Sequence, residues 1–294
     1  MQNFNNHILV PIDFSEQSLI ALKQSYNIAK FKESDITLLH VIDIDFIDKF
    51  KSIFKGDEDD ERMVNDAKIK LDELAAQVTA DKGLPVNVII KKGKIYEEVV
   101  QVSKDINATF IVMGTNGAEG IKKKFLGSNA IRVINEADCP VISIKGKQHR
   151  EGCKRIILPL DISDETRDKV NMAMELANYF QSEIVVISVY DFDDEFLITK
   201  QQRQMDQVVD FISAANIKCS NMMIRGDDIS DTVLSYSAGA DGDLVMIMSQ
   251  QQKGLTEWIL GSEAQQIINN SEIPVCSVKP MARRDMQDFV IFDI

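Results

Sequence analysis

At 294 residues the chain is long enough for two domains of ordinary size, and its 45% hydrophobic and 27% charged residues are the proportions of a globular protein in water. A formal net charge of −13 argues against nucleic acid as a partner, since phosphate backbones need clustered Lys and Arg, and disfavours adsorption to anionic membrane surfaces. No apolar stretch approaches the ~20 residues of a membrane helix, and no basic-then-apolar leader opens the chain, so the expectation is a cytoplasmic protein. Cys139, Cys153, Cys219 and Cys276 are scattered without metal-site spacing and read as small apolar residues in a reducing compartment.

An internal repeat organises the rest. His7-Ile8-Leu9-Val10-Pro11-Ile12-Asp13 aligns with Arg155-Ile156-Ile157-Leu158-Pro159-Leu160-Asp161, a shift of 148. Phe125 to Lys145 aligns with Ile259 to Lys279, a shift of 134, with ten of 21 positions identical, too many for chance. The shift falls because the first copy has a longer middle, around the acidic run Asp57 to Glu61, which reads as a solvated loop or helix start. This predicts one domain over 1–148, a second over 153–280 and a tail over 281–294. The tail ends in Phe289-Val290-Ile291-Phe292, apolar enough to expect it on a domain surface or a sheet edge.

In chain order, the first copy predicts strands over 8–12, 36–41, 86–90, 110–113 and 141–144. Amphipathic helices lie between them, over 16–31 and 67–80, with a last helix over 128–136. Strands that are apolar throughout belong to a sheet covered on both faces. The fold class expected is therefore α/β: two tandem three-layer α/β/α domains, each with a five-stranded, mostly parallel sheet. In such sheets ligands sit beyond the carboxyl ends of the strands, where the winding direction switches.

The loops after strands one and four are the places to inspect. Pro11 and Asp13 close strand one, where a carboxylate can accept from ribose hydroxyls or hold Mg²⁺ against phosphates. Alternatively Asp13 caps the following helix, in a box with Glu16. Val41, taken as the end of strand two, would offer its main chain to a base edge. After strand four come Met113, Gly114, Asn116 and Gly117; the glycines lack the Cβ that would keep backbone away from a ligand. Gly127, Ser128 and Asn129 then open the last helix, whose unpaired N–H groups form an anion site. The same Gly127-Ser128 pair is also a good helix start without any ligand. Lys122, Lys123 and Lys124 read equally as phosphate screens or as a solvated basic loop.

These residues resemble the universal stress protein family, in its ATP-binding branch. The likeness is the G-x2-G-x9-G-[ST] pattern at Gly114, Gly117, Gly127 and Ser128, with Pro11, Asp13 and the Leu39-His40-Val41 run. It covers nearly the whole chain. It implies an adenine nucleotide alpha hydrolase-like fold, ATP (or ADP and AMP) lying over the glycine loop, and a part in stress survival. It also implies pairing of domains through their fifth strands, here inside one chain, leaving open a homodimer of whole chains and a protein partner.

The second copy departs from the pattern. Met248 and Gln251 stand where Gly114 and Gly117 stand in the first, and only Gly261 and Ser262 remain. A Met where backbone must meet phosphate is expected to obstruct a nucleotide, making the second domain a non-binding pseudo-dimer half. Two other classes compete with a nucleotide-dependent regulator. One is a slow Mg-dependent ATP hydrolase, which the chain disfavours for want of a Walker loop or a His- or Arg-rich cluster. The other is a ligand-free structural pseudo-dimer. A receiver-type reading fails because strand three ends in Lys91-Lys92, not in a phosphorylatable Asp.

Overall fold

A computed structural model of the chain describes residues 6–44, 58–115, 127–145, 151–160, 166–249, 251–253 and 257–280. The tail 281–294, together with Asn116, Gly117, Lys122, Lys123, Lys124 and Asp161, lies outside them.

The first half contributes β1 (His7–Pro11), α1 (Glu16–Lys32), β2 (Asp35–Asp43), α2 (Glu58–Lys82), β3 (Val86–Gly93), α3 (Ile95–Asp105), β4 (Ala108–Gly114), α4 (Ser128–Glu136) and β5 (Val141–Ile144). The second half repeats the order with β6 (Arg155–Leu160), α5 (Thr166–Phe180), β7 (Glu183–Tyr190), α6 (Glu195–Ala214), β8 (Cys219–Arg225), α7 (Ile229–Gly239) and β9 (Leu244–Met248). After a short hairpin of β10 (Gln251–Lys253) and β11 (Glu257–Ile259), α8 (Ser262–Asn270) and β12 (Val275–Val278) complete it.

Ten strands form one sheet in the order β3-β2-β1-β4-β5-β12-β9-β6-β7-β8. Every junction is parallel except β5 with β12, where Val275, Cys276 and Ser277 lie opposite Ser143, Ile142 and Val141. The fifth strands of the two halves therefore pair inside a single chain, and neither leaves an open edge there. Each half has the same strand order, with the reversal of winding between its first and fourth strands.

Alternation along the strands builds two cores, one on each face of the sheet. Ile8 and Val10 of β1 point to one, Leu9 to the other, all three with no exposed surface. Both cores run through the seam. Ile142 and Ile144 join Cys276 and Val278 on one face; Val141 joins Val275 on the other. Around the seam, Phe31 at the end of α1 stacks on Tyr179 of α5 at 4.8 Å, Lys32 pairs with Glu175 at 3.0 Å, and Lys279 pairs with Asp138 at 2.8 Å.

Local chain chemistry repeats as well. Glu33 and Gln181, aligned at the shift of 148, are both left-handed, and the following amides of Ser34 and Ser182 bond back to Ala29 and Ala177. Asn107 and Asp241, aligned at 134, adopt φ of 50° and 51° in the same way. α2 begins at Glu58, inside the acidic run.

Candidate functional site

At the carboxyl end of β1 the chain is locked into one course. Ile12 donates its amide to the Leu39 carbonyl at 2.8 Å, and its own carbonyl accepts from His40 Nδ1 at 2.7 Å. Phe14 then takes φ of 61°, an uncommon conformation for a bulky residue that a Gly would adopt without strain. Its ring lies 5.1 Å from that of His40 and within reach of Lys70 Nζ. Ser15, not Asp13, caps α1, accepting from the Ser18 amide at 3.2 Å. Asp13 stands one step further out: exposed, with Oδ1 accepting from the Ser15 amide at 3.0 Å and hydroxyl at 2.5 Å. The helix-cap reading of Asp13 thus passes to Ser15, because the left-handed turn at Phe14 places the cap two residues later.

Val41 does not end β2. The strand continues to Asp43, with Val41 opposite Lys91 of β3. Its place at the rim survives for another reason. Leu39 faces β1 with its main chain, and backbone direction alternates, so Val41 faces the same way two residues on. The last register partner on β1 is Pro11, against Leu39, so Val41 emerges beyond it, beside the departing Ile12–Asp13 turn.

Gly114 closes β4, opposite Ile144, and is not part of the turn. A Cβ built on it would meet Gln17 Cβ at 3.1 Å, the Gln17 carbonyl carbon at 3.2 Å and the Ser18 amide at 3.3 Å. Glycine is needed here because the first turn of α1 presses on the strand, and Gln17 is further held by donating to the Lys145 carbonyl at 2.8 Å. The Met113 side chain is buried in the core with Val99, Val133 and Ile134, which removes it from any ligand contact except through its main chain.

Thr115 and Gly127 bring the two ends of the β4–α4 connection together: Gly127 donates to the Thr115 carbonyl at 2.9 Å, and its absent Cβ would lie 3.0 Å from that same oxygen. α4 begins at Ser128 with Gly127 as N-cap and no side-chain cap. Ser128 is exposed and Asn129 half-buried. Their amides open on the rim that Pro11, Asp13 and Val41 share, the arrangement in which a helix N-terminus meets an anion.

Among the described residues no group of three or more His, Cys, Asp or Glu converges as a metal site. A Mg²⁺ at Asp13 would therefore take its remaining ligands from phosphate and water, which suits that ion. Burial pushes the thiols of Cys139, Cys153 and Cys276 up to about 12 and that of Cys219 to about 11, so none is a thiolate nucleophile at neutral pH. Sequence reasoning missed Thr115 and Gln17, which hold the loop ends, and the contact of Tyr96 with Arg132, whose guanidinium lies 4.6 Å from the ring centre between the start of α3 and the middle of α4. Only the fold brings residues 36 positions apart into such contact.

In the second half, Met248 closes β9 opposite Val278 as Gly114 does opposite Ile144. Its side chain does not protrude into the rim as expected; it is buried in the core with Leu158 and Met246. Beyond it the connection pairs on its own as the hairpin β10–β11 before Gly261 opens α8, which like α4 has no side-chain cap.

The sequence model of the universal stress protein family matches residues 5–145 and again 152–279. A universal stress protein of Methanocaldococcus jannaschii is 34% identical over 155 residues, covering 48% of this chain and 94% of its own. One of Mycolicibacterium smegmatis is 22% identical over 293 residues, covering 93% and 97%. Among solved structures, a universal stress protein of Archaeoglobus fulgidus is similar in fold, with a TM-score of 0.75 and 24% identity over 94% of this chain and 97% of its own. No helix of the described residues is long and apolar enough to cross a membrane.

Proposed function

Since this chain belongs to the universal stress protein family, we propose that its first half binds an adenine nucleotide, ATP or its ADP and AMP forms, and that occupancy regulates a stress response through a surface a partner protein reads. The observation that carries this reading is the closed neck of the β4–α4 connection, where the Gly127 amide donates to the Thr115 carbonyl at 2.9 Å at the rim where β1 ends; the start of α4 has no side-chain cap, a feature α8 shares. Ser128 and Asn129 supply amides for phosphate, Asp13 faces the ribose or a Mg²⁺, and the Val41 main chain faces the base. Gly117 and Asn116 complete the loop in sequence. Gly114 serves the site indirectly, by letting α1 close on β4. A universal stress protein of A. fulgidus has been solved in complex with dAMP, a ligand of that protein; here the reading rests on the rim.

The second half acts as the paired, non-binding partner. Its loop pairs with itself as a hairpin, which takes its main-chain groups away from a phosphate. Slow hydrolysis draws no support from a positioned base: His40 donates to Ile12, and His7 lies 2.7 Å from Asp35 at the opposite end of the strands. Non-denaturing mass spectrometry of the purified chain, followed by titration calorimetry, tests the proposal. One adenine nucleotide per chain is expected; none, or two, would refute it.

A further inference from the structure

The ten-stranded sheet has two outer edges, β3 and β8, and they are built differently. On β3 only Asn87 and Lys92 are exposed, and Lys91 precedes Lys92, charges that discourage another strand. β8 runs uncharged from Cys219 to Ile224, with Ser220, Asn221 and Met222 exposed, Met222 by 47%. The Ile184 amide donates to the Lys218 carbonyl and the Gly226 amide to the Tyr190 carbonyl, so even-numbered residues of β8 turn their main chain to β7. By alternation Cys219, Asn221, Met223 and Arg225 turn theirs outward, and no strand lies beyond them among the described residues.

Beside that edge lies an open groove of about 520 Å³, lined by Ile224, Asp228, Asp231, Thr232, Ser235 and Tyr236. Met222 shares this face of the sheet with Ile224, two residues on. At the shift of 134 the first half carries the longer Glu98 and Gln101 where Thr232 and Ser235 stand. Open main chain, an exposed methionine and a groove alongside suit an extended segment with apolar side chains.

The chain holds such a segment in Phe289-Val290-Ile291-Phe292, within the tail 281–294 outside the described residues. The tail starts from Pro280, just past β12, at the end where the parallel strands β9, β6, β7 and β8 also finish. From β12 to β8 is four strand spacings, about 19 Å. Residues 281 to 288 span at most about 26–29 Å when extended, enough to cross. A segment arriving there runs back along β8 antiparallel, whereas β3 is five spacings away and would be met parallel. Charge agrees with this course. Cations bracket β8 at Lys218 and Arg225, carboxylates bracket the apolar run at Asp288 and Asp293, and the antiparallel course brings Asp288 toward Arg225 and Asp293 toward Lys218. Both cations already pair, with Glu183 at 3.1 Å and Asp193 at 2.7 Å, but their side chains stay 75% and 60% exposed. Within the crossing, Arg283 and Arg284 balance Asp285 and Asp288.

We infer that Phe289 to Phe292 add to β8 as an eleventh, antiparallel strand and lay alternate side chains into the groove, so that the chain closes its own second edge. This pairing is independent of the nucleotide site in the first half. The test is residue-resolved amide exchange on the whole chain, wild type against the double variant Val290→Asp, Ile291→Asp, with the mass of each followed by light scattering. Neighbouring positions face opposite sides of a strand, so the two substitutions strip both faces. The outward amides of Asn221, Met223 and Arg225 are expected to exchange at least about tenfold more slowly in wild type than in the variant. Those of Ser220, Met222 and Ile224 should be alike in both, and the mass unchanged. Equal exchange of the outward amides in the two chains would overturn the inference. So would slow exchange accompanied by a doubled mass in wild type alone, because a second copy would then be supplying the strand.

Discussion

Replacing Gly114 by alanine separates two reasons for a glycine that look alike in sequence. The added methyl would sit 3.1 Å from Gln17 Cβ, 3.2 Å from the Gln17 carbonyl carbon and 3.3 Å from the Ser18 amide, where carbon contacts settle at about 3.5–4.0 Å. Two of those three atoms belong to the α1 backbone, so relief requires the first helical turn to move by a few tenths of an ångström. Such overpacking costs about 1–3 kcal/mol. The φ of Gly114 is not in the left-handed region, so alanine also recovers about 0.5–1 kcal/mol of strand entropy that glycine loses. The net destabilisation is about 1 kcal/mol, a fall in Tm of about 2–4 °C for a chain of this size. Nucleotide affinity should fall by less than about threefold, since the ligand-facing atoms move only with the turn. Differential scanning calorimetry and a parallel ATP titration measure both. An undiminished Tm refutes the packing argument; an undiminished Tm with ATP binding lost more than about tenfold would return Gly114 to direct approach on the ligand.

Three further outcomes are expected. Ser15→Ala removes the cap of α1 and should cost about 1 kcal/mol by urea unfolding, whereas Asp13→Ala, which leaves that cap in place, should cost less stability and more nucleotide affinity. Burial raises the pKa of Glu183, but hydrogen bonds from Ser220 and Lys218 and the charge of Arg155 outweigh it and hold the carboxyl below its ordinary value. Its contribution is therefore complete above the ordinary carboxylate range and disappears as the pH falls through the lowered value, so the stability gap between wild type and Glu183→Gln should close on acidification; a gap constant with pH would count against the ion cluster. Expressed alone, residues 1–148 would uncover β5, all four of whose residues are buried in the whole chain, and should self-associate through that edge, which light scattering would report as a dimer.

The duplication, the α/β class and the helix start at Ser128 follow from local signals: β-branched runs that are apolar on both faces, and a Gly-Ser step before an amphipathic stretch. The place where the winding reverses, between β1 and β4, is set by the strand order of the folded sheet. The roles of individual residues were less legible. Gly114, Met113 and Met248 sit in glycine-loop positions by sequence, yet the first is bounded by α1 and the other two point into the cores. Whether a strand's last residue faces a ligand or a neighbour depends on the helix that crosses it, which periodicity does not report. Asp13 and Ser15 are both good caps by composition, and only the left-handed turn at Phe14 decides between them. The contact of Tyr96 with Arg132 has no sequence signature at all. It arises where two helices come from different crossovers onto one face of the sheet, which only the folded chain brings about.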